Sequence, residues 1–368
     1  MIYKTLIRPW LFNKQRFPDP EDAHNFVLEK LRSEKVLPFL ESYERLLDKR
    51  YDYLEQKLWG MHFSHPIGLA AGFDKNGVAL YPLVALLGVS FIELGGITRF
   101  GQAGNPRPRI FRSLQDRALI NRMGFNNEGA DAVAARLQRM CPLPVPLGLN
   151  VGKSKDTPID QAELDYQYTV RTVGPYVDYF TVNVSSPNTP DLRMLQEKKR
   201  LSLLLVAVKE ESVRLPRGTR RRPRPVLVKL APDLSPKELD EALEVADKLA
   251  DGVVAANTTL AREGLINESF AREMGGSSGQ PLQQRALEMV CTIRRKLPTM
   301  PIIGVGGIFN GDDALRMLET GGANLVQVYT GIIYEGPGMV RRSVKRLDRC
   351  LSRREEDLYL FCPRVNRD

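Results

Sequence analysis

"GVGGIFNGDDA", residues 304–314, decides between two folds. A short apolar run ends in glycines and passes into a helix-forming stretch. That is the pattern of a phosphate-binding turn in a doubly wound sheet and in a (β/α)8 barrel alike. The dinucleotide fingerprint needs G-x-G-x-x-G after an early strand, and this stretch has neither the spacing nor the position. The barrel is favoured, and the rest of the chain supports it.

Eight runs share the grammar of that stretch: short, β-branched or apolar, ending in a polar or glycine-rich terminus and followed by a helical pattern. They are "IGLAAG" (67–72), "FIELGGI" (91–97), "PLGLNVG" (146–152), "YFTVNVSS" (179–186), "VLVKLAP" (226–232), "DGVVAANTT" (251–259), "PIIGVGGI" (301–308) and "LVQVYTGI" (325–332). Eight βα units in series predict a (β/α)8 TIM barrel, with insertions where the interval between runs is long. Asn310 or Asp312 is placed to cap the helix after the seventh run.

In a barrel the carboxyl ends of all eight strands converge on one face, so naming those ends names the candidate site. They supply Lys75, Thr98, Asn150, Asn183 with Ser186, Lys229, Asn257 with Thr258, Gly306 with Gly307, and Tyr329 with Thr330. Several amides and hydroxyls and two lysines suit an anionic, planar, hydrogen-bonding ligand pair. The glycines after the seventh and eighth runs match the usual barrel phosphate site. For the "SSPN" at 185–188 the plain alternative is a turn whose hydroxyls satisfy their own backbone.

Other chemistries lack their residues. All three histidines, His24, His62 and His65, precede the end of the first run, and no strand end carries a cysteine. Asp74 and Glu93 lie near the rim, but no carboxylates are spaced for metal or glycosidase work. Four scattered cysteines suggest neither zinc nor a disulfide framework. No apolar run approaches the roughly 18 residues of a spanning helix, and the start lacks a signal-peptide core. A net charge of +9 over 368 residues suits an anionic surface, nucleic acid or small molecule without choosing among them. The densest basic stretch, 214–225, has no interleaved aromatics and reads as a solvated loop rather than a nucleic-acid patch. Arg341 to Arg354 reads as the charged face of a last helix.

From about Asp19 to Gly338 the chain resembles the class 2 (quinone-dependent) dihydroorotate dehydrogenases. The resemblance rests on "GLAAGFDKNG" (68–77), "GNPRPRIFR" (104–112), "INRMGFNN" (120–127), "NVSSPNTPDLR" (183–193), "VKLAPDLS" (228–235), "NTT" (257–259), "GGSSGQPL" (275–282), "PIIGVGGI" and "LVQVYTG", in that order. It implies an FMN barrel of pyrimidine biosynthesis that oxidises dihydroorotate to orotate and passes electrons to a membrane quinone. It implies Ser186 as the catalytic base, where the related soluble enzymes carry cysteine. The matching positions imply orotate contacts from Lys75, Asn121, Arg122, Met123, Gly124, Phe125, Asn183, Asn188, Asn257 and Thr258. They imply FMN contacts from Ala71, Gly72, Lys75, Thr98, Asn150, Asn183, Lys229, Gly279, Gly307, Tyr329 and Thr330. His24, Arg112 and Tyr329 match positions near the family's quinone tunnel.

Two departures stand out. Arg99-Phe100-Gly101 replaces a proline-led, less bulky run, which bears on the loop near the quinone path and on acceptor preference. Ser277 replaces an aliphatic residue.

Ahead of the barrel, which is expected over 56–368, residues 1–55 form an amphipathic helical segment. Asp19 and Pro20 read as N-cap and first helical residue, with Ala23, Phe26, Val27 and Leu31 on one face. A second stretch puts Phe39, Leu40, Tyr43, Leu46 and Leu47 on another. Before both, Ile2, Leu6, Ile7, Trp10, Leu11 and Phe12 mix with Lys4 and Arg8, a pattern that suits a bilayer interface. The alternative is a helical cap packed on its own barrel. The resemblance implies a peripheral membrane protein, on the cytoplasmic side of the inner membrane in a bacterium, that admits quinone between these helices. Two rival readings remain: an aldolase using Lys229 as a Schiff-base amine, and a non-catalytic membrane-surface protein.

Overall fold

The structure is a computed structural model that describes residues 2–352 apart from 34, 37, 41, 43–50, 141, 190 and 217–222. Most of the amphipathic stretch expected around 37–47, the middle of the basic stretch 214–225 and the end of the basic run 341–354 lie outside the described residues.

All eight runs form strands: β1 (Ile67–Leu69), β2 (Ile92–Ile97), β3 (Leu147–Val151), β4 (Tyr179–Asn183), β5 (Val226–Leu230), β6 (Gly252–Ala255), β7 (Ile302–Val305) and β8 (Leu325–Val328). They close in sequence order, β8 pairing with β1 through Val326 and Ile67. Every residue of β2 to β6 and β8 is buried. Parallel strands covered on both faces need that near-continuous apolar character. Outward-facing Leu69, Leu94, Leu149, Val182 and Val228 join helix residues such as Leu83, Val170, Leu204 and Leu243 in the main core. Inward-facing Phe91, Tyr179, Leu227, Val254, Ile303 and Leu325 fill the amino-terminal end of the barrel.

A short hairpin, Gln56–Leu58 with Met61–Phe63, plugs that end. Its turn residues Trp59 and Gly60 both have positive φ, as a two-residue hairpin turn requires. The Trp59 indole donates to the Asp251 carbonyl at 2.7 Å and stacks on Tyr179.

At the opposite end, a three-stranded antiparallel sheet crosses the barrel mouth. Ala118–Asn121 is its central strand, between Ile110–Ser113 and Gly276–Gly279. It arises from the long loops after β2 and β6. The helix after β7 is capped by Asn310, whose side chain accepts from the N–H groups of Asp312 and Asp313.

The N-terminal helix Pro20–Leu31 starts as expected, the Asp19 carboxylate accepting from the Glu21 N–H. Ala23 and Leu31 are buried and Val27 packs on the core, while Phe26 turns aside onto Trp10 and Phe17. What fixes this helix to the barrel is charge. Glu21, 4% exposed, takes two bonds from Arg109 at 2.7 and 2.8 Å, and Arg107 bridges to Asp19 and Asp22. Ahead of it, residues 3–12 have two faces. Tyr3 donates to the Ile333 carbonyl, Arg8 to that of Tyr334, and Phe12 meets Tyr334 edge-on. Ile2, Leu6 and Ile7 point to solvent. Among the described residues no helix is long and apolar enough to cross a membrane.

Removing Glu21 leaves the Arg109 charge buried, so Glu21→Ala should cost about 3 kcal/mol and loosen residues 20–31 first. Burial pushes the Glu21 carboxyl up, but the Arg109 bond and charge, helped by Arg107 and Lys75, hold it below its ordinary 4.5. Its contribution is therefore complete above the unfolded value and is lost as pH falls through the lower folded one. Hydrogen exchange checks both: fast exchange over 20–31 in the variant, and in the wild type only in acid. Wild-type exchange in the variant contradicts this.

Candidate active site

Between the strand ends and the antiparallel sheet lies a cavity of about 180 Å³. The catalytic and ligand positions expected from the sequence line it, save two. Ala71, Gly72, Lys75, Asn121, Met123, Gly124, Phe125, Asn150, Asn183, Ser186, Asn188, Lys229, Asn257, Thr258, Gly279, Gly307, Tyr329 and Thr330 all reach it. Thr98 lies behind the wall, fully buried, taking a bond from Asn127 and donating to the Phe100 carbonyl. Arg122 turns outward, pairing with Glu273 at 2.9 Å and lying over the Phe111 ring.

The floor is a chain of amides. Asn183 Nδ2 donates to Asn150 Oδ1 at 2.8 Å, and Asn183 Oδ1 accepts from the Ser185 N–H and hydroxyl. Asn257 Nδ2 donates to Ser185 Oγ, and Asn257 Oδ1 accepts from the Thr258 N–H. Across the cavity Asn188 donates to Asn121 Oδ1, which brings the loop after β4 against the antiparallel sheet. Phe125 fits over β2 and β3 because Gly96 and the following Gly152 have no Cβ for its ring to meet.

Ser186 is buried on the cavity wall and accepts from the Asn188 N–H at 3.3 Å. The turn alternative describes this hydroxyl: it ties the loop to its own backbone, on the wall of the cavity.

Two lysines make the site electropositive. Burial pulls the Lys75 ammonium down to about 8, opposed by Glu21 and Asp74. Burial also lowers Lys229, opposed by Glu93. Among the described residues the Lys229 ammonium has no hydrogen-bond or ion-pair partner, an arrangement that calls for an acceptor from a ligand. Gly306 and Gly307 have positive φ, and Thr330 opens the helix after β8 beside Ser278, 2.9 Å away. Side by side, these features accommodate a planar hydrogen-bonding ring with an anionic tail.

The family model described as dihydroorotate dehydrogenase matches residues 53–351. The dihydroorotate dehydrogenase (quinone) of Chloroflexus aurantiacus is 48% identical over 354 residues, 93% of this chain and 95% of the relative. That of Thermosynechococcus vestitus is 46% identical over 363 residues, 94% and 96% of the two chains. The crystal structure of the Eimeria tenella enzyme in complex with ferulenol superposes with a TM-score of 0.86 at 34% identity, covering 96% of this chain and 97% of its own. The chain belongs to the dihydroorotate dehydrogenase family. It is an oxidoreductase, and the aldolase and non-catalytic readings fall.

The residues expected near a quinone path sit together on one side of the cavity. Tyr329 lines the cavity and meets Phe73 edge-on at 5.2 Å, and Phe73 meets His24 at 5.3 Å. Burial pushes the His24 imidazole down to about 4, so it is neutral near pH 7. Arg112 lies 4.1 Å over the Phe12 ring and donates to the Leu11 carbonyl. Leu119, Phe309 and Tyr334, with Phe12, Tyr329 and Ile333 packed on them, form an apolar wall between the cavity and the N-terminal segment. Phe73 escaped the sequence reading because a phenylalanine in a glycine-rich turn carries no chemical signal of its own. Phe100 is exposed, its ring under the Arg99 guanidinium, which also covers Tyr168.

Ser277 is buried in the sheet over the cavity, and its hydroxyl has no hydrogen-bond partner among the described residues. Stranding a hydroxyl typically costs about 1–3 kcal/mol. Ser277→Ala should therefore raise the thermal midpoint. An unchanged or lower midpoint means the hydroxyl is satisfied.

Proposed function

We propose that this protein oxidises (S)-dihydroorotate to orotate in pyrimidine biosynthesis, with FMN as redox cofactor and a membrane quinone as final acceptor. The single observation that carries this reading is the buried Ser186 on the wall of a cavity whose floor is a three-asparagine chain beside the Lys229 ammonium.

FMN suits this cavity. Lys229 would face the ring, the backbone at Gly279, Gly307 and Thr330 would take the phosphate, and Ala71, Gly72, Asn150 and Tyr329 would flank it; Thr98 would act from behind the wall. The cofactor supplies the acceptor for the substrate's hydride. The chain supplies the rest. Lys75 meets the substrate carboxylate, while Asn121, Asn183, Asn188, Asn257 and Thr258 hold its ring amides. Met123, Gly124 and Phe125 close the cavity, and Arg122 braces this turn through Glu273. Ser186 Oγ receives the proton that leaves substrate carbon as the hydride departs. A serine hydroxyl is a weak base, and a site shielded from bulk water helps it.

Ser186→Ala should keep the protein yellow yet slow flavin reduction by dihydroorotate by about 10² to 10⁴ or more, the usual cost of losing a positioned base. Near-normal bleaching in stopped flow contradicts the assignment. An anionic substrate prefers protonated Lys75, so its binding to the oxidised enzyme should weaken as pH rises through about 8. In Lys75→Met, binding should be weak and flat with pH; a wild-type profile there refutes the assignment.

His24, Arg112 and Tyr329, joined by Phe73, line the proposed route for quinone. The outward face of Ile2, Leu6 and Ile7 fits a peripheral membrane anchor, while Lys4 and Arg8 tie the segment to the barrel through Glu335 and the Tyr334 carbonyl. In a bacterium that surface is the cytoplasmic side of the inner membrane. Truncation of residues 1–55 should spare flavin bleaching by dihydroorotate in protein that stays folded. Reoxidation by long-tailed quinone and binding to anionic vesicles should both fall steeply; full-length rates and binding would refute the anchor.

A further inference from the structure

Glu93 stands on β2 inside the barrel, 1% exposed, outside the lining of the cavity. Four side chains from three strands donate to it. Asn150 Nδ2 reaches one carboxylate oxygen at 2.8 Å; Gln327 Nε2, Thr181 Oγ1 and Tyr179 OH reach the other at 2.9, 3.1 and 3.3 Å.

A carboxylate in this role only accepts, so each partner must turn its N–H or O–H toward it. For the two amides that fixes which end faces away. Asn150, giving Nδ2 to Glu93, turns Oδ1 to Asn183. Asn183 then turns Oδ1 to Ser185 and to Asn257 Nδ2, 3.4 Å away, which leaves Asn257 Oδ1 for the Thr258 N–H. Gln327, giving Nε2 to Glu93, leaves Oε1 buried and without a partner among the described residues, and Gln327 lines the cavity.

Resting on the FMN reading above, we propose that Glu93 is the positioning residue of the cofactor site. Its carboxylate sets the direction of the Asn150, Asn183 and Asn257 amides, and it presents Gln327 Oε1 as an acceptor for a ring N–H of the bound flavin. Glu93 touches no ligand itself. Its charge also offsets the cost of holding the Lys229 ammonium in a desolvated wall.

The test compares the wild-type holoprotein with Glu93→Gln, Glu93→Asp and Gln327→Met. A glutamine offers one accepting oxygen where the carboxylate offered two, so the donors compete and the amides are free to turn. Glu93→Gln should lose FMN at least tenfold more readily in equilibrium dialysis and show a displaced visible flavin spectrum. Glu93→Asp should recover part of both. Gln327→Met, close in volume, removes both the free acceptor and one of the Glu93 donors; it should weaken FMN retention, and it decides the acceptor role if Glu93→Gln does not fold. Wild-type FMN affinity and spectrum in Glu93→Gln overturn the proposal, as does a lowered thermal midpoint with both unchanged. Wild-type retention in Gln327→Met overturns the acceptor role. A colourless wild-type protein sinks the flavin reading and this inference with it; a yellow wild type with indifferent variants sinks this inference alone.

Discussion

Closing eight parallel strands into a ring leaves their carboxyl ends facing one another across a space one ligand wide. That constraint organises the molecule. Asn150, Asn183, Lys229 and Asn257 come from four different elements yet share one cavity. Each extends from a rigid strand or its immediate end, so the site inherits the precision of the barrel rather than the mobility of a loop. The same closure leaves an interior to fill, done with aromatic and branched side chains at one end and a carboxylate ringed by donors near the other. A buried charge without such donors would be costly, so β3, β4 and β8 had to supply them.

The N-terminal segment answers a different demand. Its inward residues, Tyr3, Arg8 and Phe12, are tied to the helix that follows β8, and its helix is held by Glu21 and Arg109. Among the described residues its outward Ile2, Leu6 and Ile7 have no comparable partner. The inner face packs on the barrel as a cap does; the outer face is the one the proposed membrane contact would use. Its inner face meets the cavity wall at Phe73 and Tyr329, so electrons leaving the cavity would have a short apolar path to the surface. Arg109 also donates to the carbonyl of Asn105, whose side chain donates to that of Asn188, linking the helix to the loop after β4.

The barrel was legible because parallel strands buried on both faces must be apolar throughout, and each run ended where polarity returned. The rim was legible for the same reason: Asn150, Asn183 and Lys229 are polar residues within otherwise apolar strands. The antiparallel sheet was not. "GSSG" at 276–279 has little intrinsic strand preference and pairs with 118–121, far away in sequence. Tertiary context makes it a strand. The floor hairpin is only three residues a side, and its turn places a tryptophan, not an asparagine, at positive φ. Arg122 could not be assigned outward from sequence, because a side chain's direction at the end of an antiparallel strand depends on partners such as Glu273. Glu93 looked like a rim residue; only the barrel interior shows it ringed by donors beneath the amides.

The central claim is that the cavity at the strand ends is a flavin site where dihydroorotate delivers two electrons. Anaerobic titration of the purified full-length protein with dihydroorotate, followed by visible absorbance, tests it most directly. The account predicts a yellow protein bleached by one equivalent of dihydroorotate per flavin, with one orotate formed and colour restored by quinone. A colourless protein, or a yellow one that excess dihydroorotate leaves unbleached, would contradict it.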